Sequence, residues 1–442
     1  MLKFKRFLVF FLAGIYASTT FAEFQRVSPE DAGYDSKKLK ELTGIADRLY
    51  NDGRIPNYII SLYKDDKNFF QAAKGKTELE MGASVDEDTI FHTASMSKPM
   101  VTTALFRLIQ DGKLSLDDPL DKFFPQFNQL MVAPGGDFNN QFEPAKRKIT
   151  IRDLVTHTSG FSYGQAVAGF GDVGKLYDEL QLFSQMGAPD KNLLDHLNNL
   201  SEVPLVAHPG EEFNYSVGIS VIGAIIQKLT EKDLATYLRE ILFEPLGMEN
   251  TGFLLTPSQA KNTSSVYGSQ SLDPRARFQP LGKISTQQEP IDWKIAEVIP
   301  SAAFTIKPPF YSGGGGILSS AKDYAIYLSM IANNGSLNGV EILKPEFAKL
   351  HTASLAPGVS AEGFLRAFGD AAEYMGFGGG FGIKNEPEDN SAVDYIFWGG
   401  AFNTFFWVDL EDKSVGLFLT AHWPVQYNIS DVLEQIVDEA RL

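Results

Sequence analysis

Strand-like segments lie near both ends of this chain, and mainly helical segments lie between them. Residues 57–75 read as two strands around a turn at 65–67, and residues 395–422 form a second strand-like stretch that reverses at 410–413. Hydrophobic periodicity predicts helices at residues 35–51, 99–109, 150–156, 189–200, 217–228, 233–246 and 320–332, and after residue 428. This order predicts an α/β (α+β) fold, with one sheet built from N- and C-terminal parts, flanking helices and an inserted, mainly helical region.

The first 22 residues have the pattern of an export signal. Lys3, Lys5 and Arg6 precede an apolar stretch at residues 7–15, and residues 20–22 resemble a cleavage site. The apolar stretch is shorter than the roughly 20 residues of a membrane-spanning helix, and no later apolar run approaches that length, so we expect no membrane insertion after the signal is removed. The alternative is a buried N-terminal helix. We predict a periplasmic or secreted product with one domain at 23–442, whose α/β part covers about 23–115 and 310–442 and whose helical insertion covers about 116–309.

Composition excludes several classes of function. The 442 residues contain no cysteine, which excludes thiol nucleophiles and iron–sulfur clusters. A formal net charge of −16 argues against a nucleic-acid partner, which would need clustered basic residues. The six histidines, at positions 92, 157, 196, 208, 351 and 422, lack the spacing of a metal site, so we expect no metal and no cofactor. His157 follows an apolar helical stretch, which favours a hydrogen-bonded structural role.

Four Ser-x-x-Lys segments occur, at residues 61–64, 95–98, 258–261 and 319–322. A lysine three residues after a serine lies on the same face of a helix, and it can take the hydroxyl proton if burial keeps it partly neutral. The first copy lies in a strand-like run, the third in a polar loop, and the fourth at a helix cap with a solvated lysine. Only Ser95 follows a strand-like segment and opens a helix, with Pro99 in the first turn. On local grounds alone, Ser95 could equally be a plain helix cap with an exposed Lys98.

The surroundings of Ser95 carry a resemblance to a known family. Residues 88–99 (DTIFHTASMSKP) resemble the nucleophile segment of serine β-lactamase-like hydrolases, which include class C β-lactamases, D-Ala-D-Ala carboxypeptidases and family VIII carboxylesterases. Further similar segments follow in the expected order, at residues 149–161 (ITIRDLVTHTSGF), 209–216 (PGEEFNYS), 313–316 (GGGG) and 398–400 (WGG). The resemblance covers essentially the whole mature chain, and it implies a β-lactamase-like fold with an antiparallel sheet.

The resemblance implies a role for each matching residue. Ser95 would be the acylated nucleophile and Lys98 the base that activates it. Tyr215 would share proton transfer, and beside the charge of Lys98 its phenol is expected to ionise well below its ordinary pKa of about 10. The backbone N–H groups of Ser95 and Ala401 would form the oxyanion hole, and a strand at 401–409 would line the site.

Two positions depart from the lactamase and peptidase pattern. Trp398 replaces the lysine that begins their third motif, and Val217 replaces an asparagine that usually contacts the substrate amide. Both changes remove polar contacts for an anionic acyl-amide, and Trp-Gly-Gly is what the carboxylesterases of the family carry. We therefore predict an exported serine hydrolase that binds an uncharged small-molecule ester beside Trp398, Gly399, Gly400 and Val217. The alternatives are a class C-like β-lactamase or D-Ala-D-Ala carboxypeptidase acting on an amide, and a non-catalytic periplasmic binding or sensor protein.

Three other segments bear on the site. Ser162 lies in a Gly-x-Ser-x-Gly match but lacks the strand-to-helix turn that this motif needs, so we predict no catalytic role for it. The glycines at 313–316 indicate either close backbone approach near the site or a flexible linker. Residues 256–311 are expected to shape one wall of the pocket. The sequence does not indicate an oligomeric state.

Overall fold

The main sheet joins the two ends of the chain. The computed structural model describes residues 24–79, 81–164, 171–183, 191–268, 279–280, 296–356, 359, 375–385, 393–423 and 427–442. Within them, an eight-stranded main sheet has the spatial order Gln25–Arg26, Lys67–Gly75, Asn57–Lys64, Ser414–Leu419, Thr404–Asp409, Val393–Gly400, Phe381–Asn385 and Met375–Gly378. Its first pairing is parallel and the others are antiparallel. Ile60 lies opposite Phe418, so N- and C-terminal strands meet at the centre and the predicted fold class is confirmed.

Helices cover both faces of the main sheet. Helices Ser36–Asn51 and Ser430–Glu439 pack on one face, and helices Ser97–Gln110 and Ala321–Ala332 pack on the other. The central strand Asn57–Lys64 faces both cores in alternation, because successive strand residues point to opposite faces. Each buried aliphatic side chain in such a core contributes about 1.5–3 kcal/mol to the free energy of unfolding. The core on the second face includes the helix Ser97–Gln110, which carries the Lys98 side chain.

Polar side chains fix where the predicted helices begin. Asp35 accepts hydrogen bonds from the first N–H groups of its helix, and Ser320 accepts one from the N–H of Asp323. Thr150 and Asp153 form a reciprocal capping box at the start of Ile151–Val155. The helices predicted at residues 35–51, 150–156 and 320–332 therefore begin one residue after the predicted start, directly behind these capping residues.

The middle of the chain is mainly helical, as predicted, but it contains more helix than the periodicity indicated. The helices there are Ile151–Val155, Gly171–Glu179, Leu193–Glu202, Gly218–Thr230, Leu234–Leu238, a π-helical turn Arg239–Phe243, Glu244–Leu246 and Pro257–Lys261. Helix Gly171–Glu179 was not predicted, and the segment 257–261 was predicted as a loop. Helix Gly218–Thr230 is apolar along most of its length and packs against Ser97–Gln110, between the middle region and the main sheet.

Short strands pair outside the main sheet. Ile90–His92 pairs with Leu318–Ser320, and this pairing places residues 93–98 beside residues 312–317. The remaining short strands are Met131–Val132, Glu143–Pro144, Val266–Gly268, Gln279–Pro280, Ala296–Ile299, Ser336–Leu337, Val340–Glu341, His422–Trp423 and Tyr427–Asn428. Short 3₁₀ turns occupy Glu30–Ala32, Ala94–Met96, Leu120–Lys122, Pro125–Phe127, Pro134–Gly136 and Ser301–Thr305.

The C-terminal strands contain a reversal that the sequence analysis missed. Ala401 to Asn403 form a tight turn between Val393–Gly400 and Thr404–Asp409, so the expected strand at 401–409 begins three residues later. Asn403 adopts a left-handed conformation with φ 59°, which asparagine tolerates better than most residues. The predicted reversal at residues 410–413 is present between Thr404–Asp409 and Ser414–Leu419.

Some predictions concern segments outside the described residues. The export signal at 1–22 and much of the expected pocket wall, at 269–278 and 281–295, belong to this group. Within the described ranges, no helix combines the length and apolar character that crossing a membrane requires.

Candidate active site

The turn that carries Ser95 is held in a strained backbone conformation. Ala94, immediately before it, has a left-handed φ of 46°, which is costly for a residue with a Cβ. The Ala94 N–H donates to Nδ1 of His92 at 3.1 Å, and the Ala94 carbonyl accepts from the Ser97 hydroxyl at 2.7 Å. Ser97 in turn accepts from the N–H of Ile317 at 2.9 Å, which ties this turn to the paired segment. The surrounding bonds fix Ser95 where a free chain would rarely hold it.

Lys98 lies beside the Ser95 hydroxyl, one helical turn further along. Its Nζ is 3.0 Å from Ser95 Oγ and donates to the carbonyl of Gly314 at 2.6 Å. The side chain is fully buried, and in the described part of the chain no carboxylate lies within ion-pair distance of it. Burial therefore lowers the pKa of Lys98 well below its ordinary value of 10.5. A neutral amine that donates to Gly314 has its lone pair free to take the Ser95 proton.

Tyr215 packs over the Lys98 amine. Lys98 Nζ lies 4.7 Å from the centroid of the Tyr215 ring, and the Trp398 ring centroid lies 5.6 Å from it. Burial raises the pKa of the Tyr215 phenol, while its hydrogen-bonding partners Ser95 and Trp398 act in the opposite direction. The expectation of a lowered phenol pKa is wrong, because the desolvation of the buried phenol outweighs the hydrogen bonds that lower its pKa. Tyr215 is therefore protonated near neutral pH, as a proton donor beside Ser95.

The glycine run brings backbone directly onto the site. A Cβ at Gly314 would lie 2.8 Å from Ser220 Oγ and 2.9 Å from the Tyr163 hydroxyl, and one at Gly313 would lie 2.7 Å from the carbonyl of Ile219. The Gly314 N–H donates to Ser220 Oγ at 3.1 Å. Of the two interpretations of this run, close backbone approach is confirmed. The sequence analysis missed the Gly314 carbonyl as the hydrogen-bond partner of Lys98, although the four glycines were the available signal.

The turn after the Trp-Gly-Gly segment lies against the Ser95 turn. A Cβ at Gly400 would lie 2.3 Å from the Thr93 carbonyl, so only glycine allows this approach. Thr404 Oγ1 donates to the same carbonyl at 3.3 Å. Ala401 packs against a small apolar cluster that includes Ala94, the residue before Ser95. The two residues proposed for the oxyanion hole are thus neighbours, and the direction of their N–H groups towards a substrate stays a prediction.

The two residues that depart from the lactamase pattern lie in different environments. Trp398 is 8% exposed, like Ser95, and packs edge-on against Phe377 at 5.0 Å between centroids. Val217 is completely buried in the core, and its backbone N–H donates to the Ser162 carbonyl at 3.2 Å. The structure therefore brings Trp398 and Gly400 to the site but leaves Val217 with no side-chain surface for a substrate. Having valine rather than asparagine at position 217 therefore removes a polar group and adds no side-chain surface that a substrate could contact.

The competing serines lie in unsuitable places. Ser162 is fully buried, its hydroxyl donates to the Tyr163 carbonyl at 3.0 Å, and the described element that precedes it is the helix Ile151–Val155 rather than a strand. Ser61 lies in the strand Asn57–Lys64, Ser258 lies in the short helix Pro257–Lys261, and Ser319 lies in the strand Leu318–Ser320. Ser95 is the serine among these that has a buried lysine amine within hydrogen-bond distance.

The histidines do not form a metal site in the described residues, where no group of three potential ligands converges. His157 has the structural role predicted for it, because its Nδ1 lies 3.1 Å from the Ser216 hydroxyl and accepts the Ser216 N–H at 3.1 Å. Its ring centroid is 4.6 Å from that of Tyr215. Burial lowers the pKa of His157 well below its ordinary value, and whenever Lys98 carries a proton its charge acts in the same direction.

Comparisons with known proteins agree on one family. The family model described as Beta-lactamase matches residues 37–432. An uncharacterized protein of Mycobacterium tuberculosis is 30% identical over 359 residues, 79% of this chain and 82% of its own length. Esterase EstB of Burkholderia gladioli is 28% identical over 395 residues, 85% of this chain and 88% of its own.

A solved structure shares the fold at lower sequence identity. The structure titled "EstCE1, a hydrolase with promiscuous acyltransferase activity" superposes with a TM-score of 0.70 at 24% identity. The similarity covers 91% of this chain and 98% of that one, so the helical middle region and the sheet are both included.

Proposed function

The chain belongs to the beta-lactamase family of serine hydrolases, and on that premise we propose that it is exported and cleaves uncharged carboxylic esters through a Ser95 acyl-enzyme. One observation carries the proposal. A fully buried lysine amine, with its pKa lowered by burial, lies 3.0 Å from the Ser95 hydroxyl. The resulting pair is a nucleophile with its base already in place.

Acylation uses three side chains. The Ser95 oxygen attacks the ester carbonyl carbon as its proton passes to the neutral amine of Lys98. The N–H groups of Ser95 and Ala401 would hold the negative charge that develops on the carbonyl oxygen. As the C–O bond to the alcohol breaks, the protonated phenol of Tyr215 gives its proton to the leaving oxygen. The Lys98 ammonium then returns a proton to Tyr215, which restores both groups.

Deacylation reuses the same amine. A water molecule attacks the acyl carbon while Lys98 takes one of its protons, and the bond to Ser95 then breaks. The ammonium returns the proton to the Ser95 oxygen, and the carboxylic acid leaves and ionises in solution. Atoms and charges balance with water as the second substrate, and each step uses groups that the geometry already gathers around Ser95.

Two observations support an uncharged ester over an anionic amide. Trp398 packs against Tyr215 and against the fully buried Phe377, so the part of the site at Trp398 offers an aromatic surface where a lysine would offer a cation for a carboxylate. The formal net charge of −16 also repels anionic substrates at long range. The similarity to an esterase of Burkholderia gladioli along most of both chains agrees with this choice.

A covalent probe and a substrate panel test the proposal on one purified sample. We expect a fluorophosphonate to label the peptide that contains Ser95, in the wild type and in Ser162→Ala, and not in Ser95→Ala. We also expect p-nitrophenyl acetate and butyrate to turn over faster than nitrocefin or a D-Ala-D-Ala peptide. Faster turnover of either amide would favour the lactamase or peptidase alternative. No labelling at all would favour a binding or sensor protein.

Export has its own test. Expression of the full chain in a Gram-negative host, followed by fractionation and N-terminal sequencing, is expected to give periplasmic or secreted protein that begins near residue 23. An intact N-terminus on cytoplasmic protein would contradict this part of the proposal and leave the ester chemistry untouched.

A further inference from the structure

One residue binds the chain on both sides of Tyr215. The N–H of Asn214 donates to the backbone carbonyl of His157 at 2.7 Å, and the N–H of Ser216 donates to its ring Nδ1 at 3.1 Å. The imidazole also lies against the Tyr215 ring, with 4.6 Å between centroids. His157 thus contacts Tyr215 by its side chain and holds both neighbours of Tyr215 by hydrogen bonds.

The His157 ring can accept the Ser216 N–H only in one protonation state. Because Nδ1 accepts the Ser216 N–H, it carries no proton, so the imidazole is neutral with its proton on Nε2. The aromatic surroundings, which include Phe213 and Phe377, disfavour a charged ring. A neutral ring is also compatible with the neutral Lys98 that the chemistry needs.

His157 itself is firmly anchored. It follows the short helix Ile151–Val155 and adopts a left-handed φ of 57°, a conformation for which histidine is comparatively well suited. The N–H of Thr158 donates to the carbonyl of Asp153 at 2.9 Å, which closes the turn around it. The Asp153 carboxylate accepts two hydrogen bonds from Arg147, at 2.6 and 2.8 Å. His157, which supports Tyr215, is therefore itself held by the helix Ile151–Val155 and by the ion pair between Arg147 and Asp153.

We propose that His157 is a positioning residue, which fixes the Tyr215 phenol next to Ser95 and Lys98 by accepting the Ser216 N–H at its Nδ1. This inference rests on the proposed function, because the position of Tyr215 matters only if its proton is transferred. Apolar packing alone would be satisfied by leucine at this position. The Ser216 N–H instead needs an acceptor at the δ position of residue 157, and asparagine offers one there without a charge and tolerates a left-handed φ.

The test compares His157→Leu with His157→Asn. We expect His157→Leu to lower kcat for p-nitrophenyl butyrate about 30- to 100-fold, because small displacements of a catalytic group are costly. We expect KM to stay within about threefold, since ground-state binding is unaffected. His157→Asn keeps the acceptor and is expected to retain kcat within about fivefold of the wild type. If His157→Leu gives no soluble protein, His157→Gln replaces it, because its amide acceptor lies one carbon too far along the side chain.

A double-mutant cycle separates positioning from general destabilisation. In a Tyr215→Phe background, His157→Leu is expected to lower kcat by no more than about threefold further, because the group that it positions has already gone. His196→Leu is the matched control, since His196 is equally buried and its Nδ1 accepts the Phe183 N–H at 3.2 Å. Its effect on kcat is expected to be small and independent of residue 215. Equal kcat in the Leu and Asn variants, or full additivity with Tyr215→Phe, would overturn the proposal.

Hydrogen exchange gives a readout that needs no turnover. The amides of Asn214 and Ser216 are expected to exchange faster in His157→Leu than in the wild type, and the Ser216 amide is expected to recover in His157→Asn. If the wild type hydrolysed no ester but showed this pattern, the proposed function would fail while the hydrogen-bond support of Tyr215 stood. Unchanged exchange in an active enzyme would overturn the positioning role alone.

Discussion

Two Ser-x-x-Lys segments lie side by side in this molecule, and only one has the environment of a catalytic pair. Residues 95–98 follow the strand Ile90–His92, and residues 319–322 overlap the strand Leu318–Ser320 that pairs with it. Both segments lead into a helix on the same face of the main sheet. The sequence pattern, the neighbouring strands and the helix starts are therefore nearly matched.

The environments of the two lysines differ completely. Lys98 is buried against Gly314 and Tyr215, within 3.0 Å of its serine. The Lys322 side chain is 30% exposed and lies 4.0 Å from Asp88, while the Ser319 hydroxyl bonds to Thr251 instead. The Ser-x-x-Lys spacing alone therefore does not make a catalytic pair. Burial without a carboxylate partner is what makes one amine a base.

The largest expected difference between the two segments is the effect of removing each serine hydroxyl. Ser95→Ala is expected to lower kcat for ester hydrolysis by at least about 10⁴-fold, because the nucleophile is lost. Ser319→Ala is expected to keep kcat within about twofold and to lower the free energy of unfolding by about 1 kcal/mol, through its lost hydrogen bonds. Steady-state kinetics and urea unfolding measure both. A large loss of kcat in Ser319→Ala would show that the second segment takes part in catalysis.

Removing each amine gives the next largest contrast. Lys98→Met keeps the length and the apolar body of the side chain, and it is expected to lower kcat about 10³-fold through loss of the general base. Lys322→Met is expected to leave kcat within about twofold, because its partly exposed ion pair contributes roughly 0–1 kcal/mol. Burst kinetics with p-nitrophenyl butyrate would show whether acylation is the step affected. A Lys98→Met enzyme with normal acylation would contradict the assignment of the base.

The smallest effect is on stability and has a definite pH dependence. Between the lowered pKa of Lys98 in the folded state and its ordinary value of 10.5, only the unfolded chain binds the proton. The free energy of unfolding of the wild type therefore rises with pH in this window, by up to about 1.4 kcal/mol per unit. Lys98→Met lacks this contribution. It is expected to be more stable than the wild type at pH 8, with an advantage that shrinks towards pH 10.

Urea unfolding at pH 8, 9 and 10 measures this difference, with Lys322→Met as the control for the loss of one positive charge. A constant gap between Lys98→Met and the wild type across the window would indicate that Lys98 is charged in the folded protein. The neutral base would then have to be abandoned, even if the kinetic contrast between the two lysines held.

Much of the fold could be predicted from the spacing of hydrophobic residues, because that spacing can be read within each strand or helix by itself. The helix Gly171–Glu179 was missed because two glycines lower its intrinsic propensity, and packing of Val173 and Tyr177 stabilises it instead. The turn at Ala401 to Asn403 was missed because its local signals, Asn403 and the preceding Gly399 and Gly400, were outweighed by the aromatic, strand-like residues that follow, and the two glycines were assigned to the Trp-Gly-Gly motif.

The site was predictable in its residues and less so in its energetics. Motifs identified Ser95, Lys98 and Tyr215, and the structure brings all three together. The pKa of Tyr215 was predicted in the wrong direction, because sequence order does not reveal that both amine and phenol are buried together. The Gly314 carbonyl was missed for a related reason, since backbone partners leave no trace in the side-chain pattern.

The pairing of strands from opposite ends of the chain has a consequence for biosynthesis. Thr420 donates a hydrogen bond to the carbonyl of Asn57, which lies 363 positions earlier in the sequence. At translation rates of about 5–20 residues per second, roughly 20–70 s separate the synthesis of these two partners. The nascent polypeptide therefore contains Ser95 long before the strands that complete the main sheet have been synthesised, so the site cannot assemble until nearly the whole chain has been made.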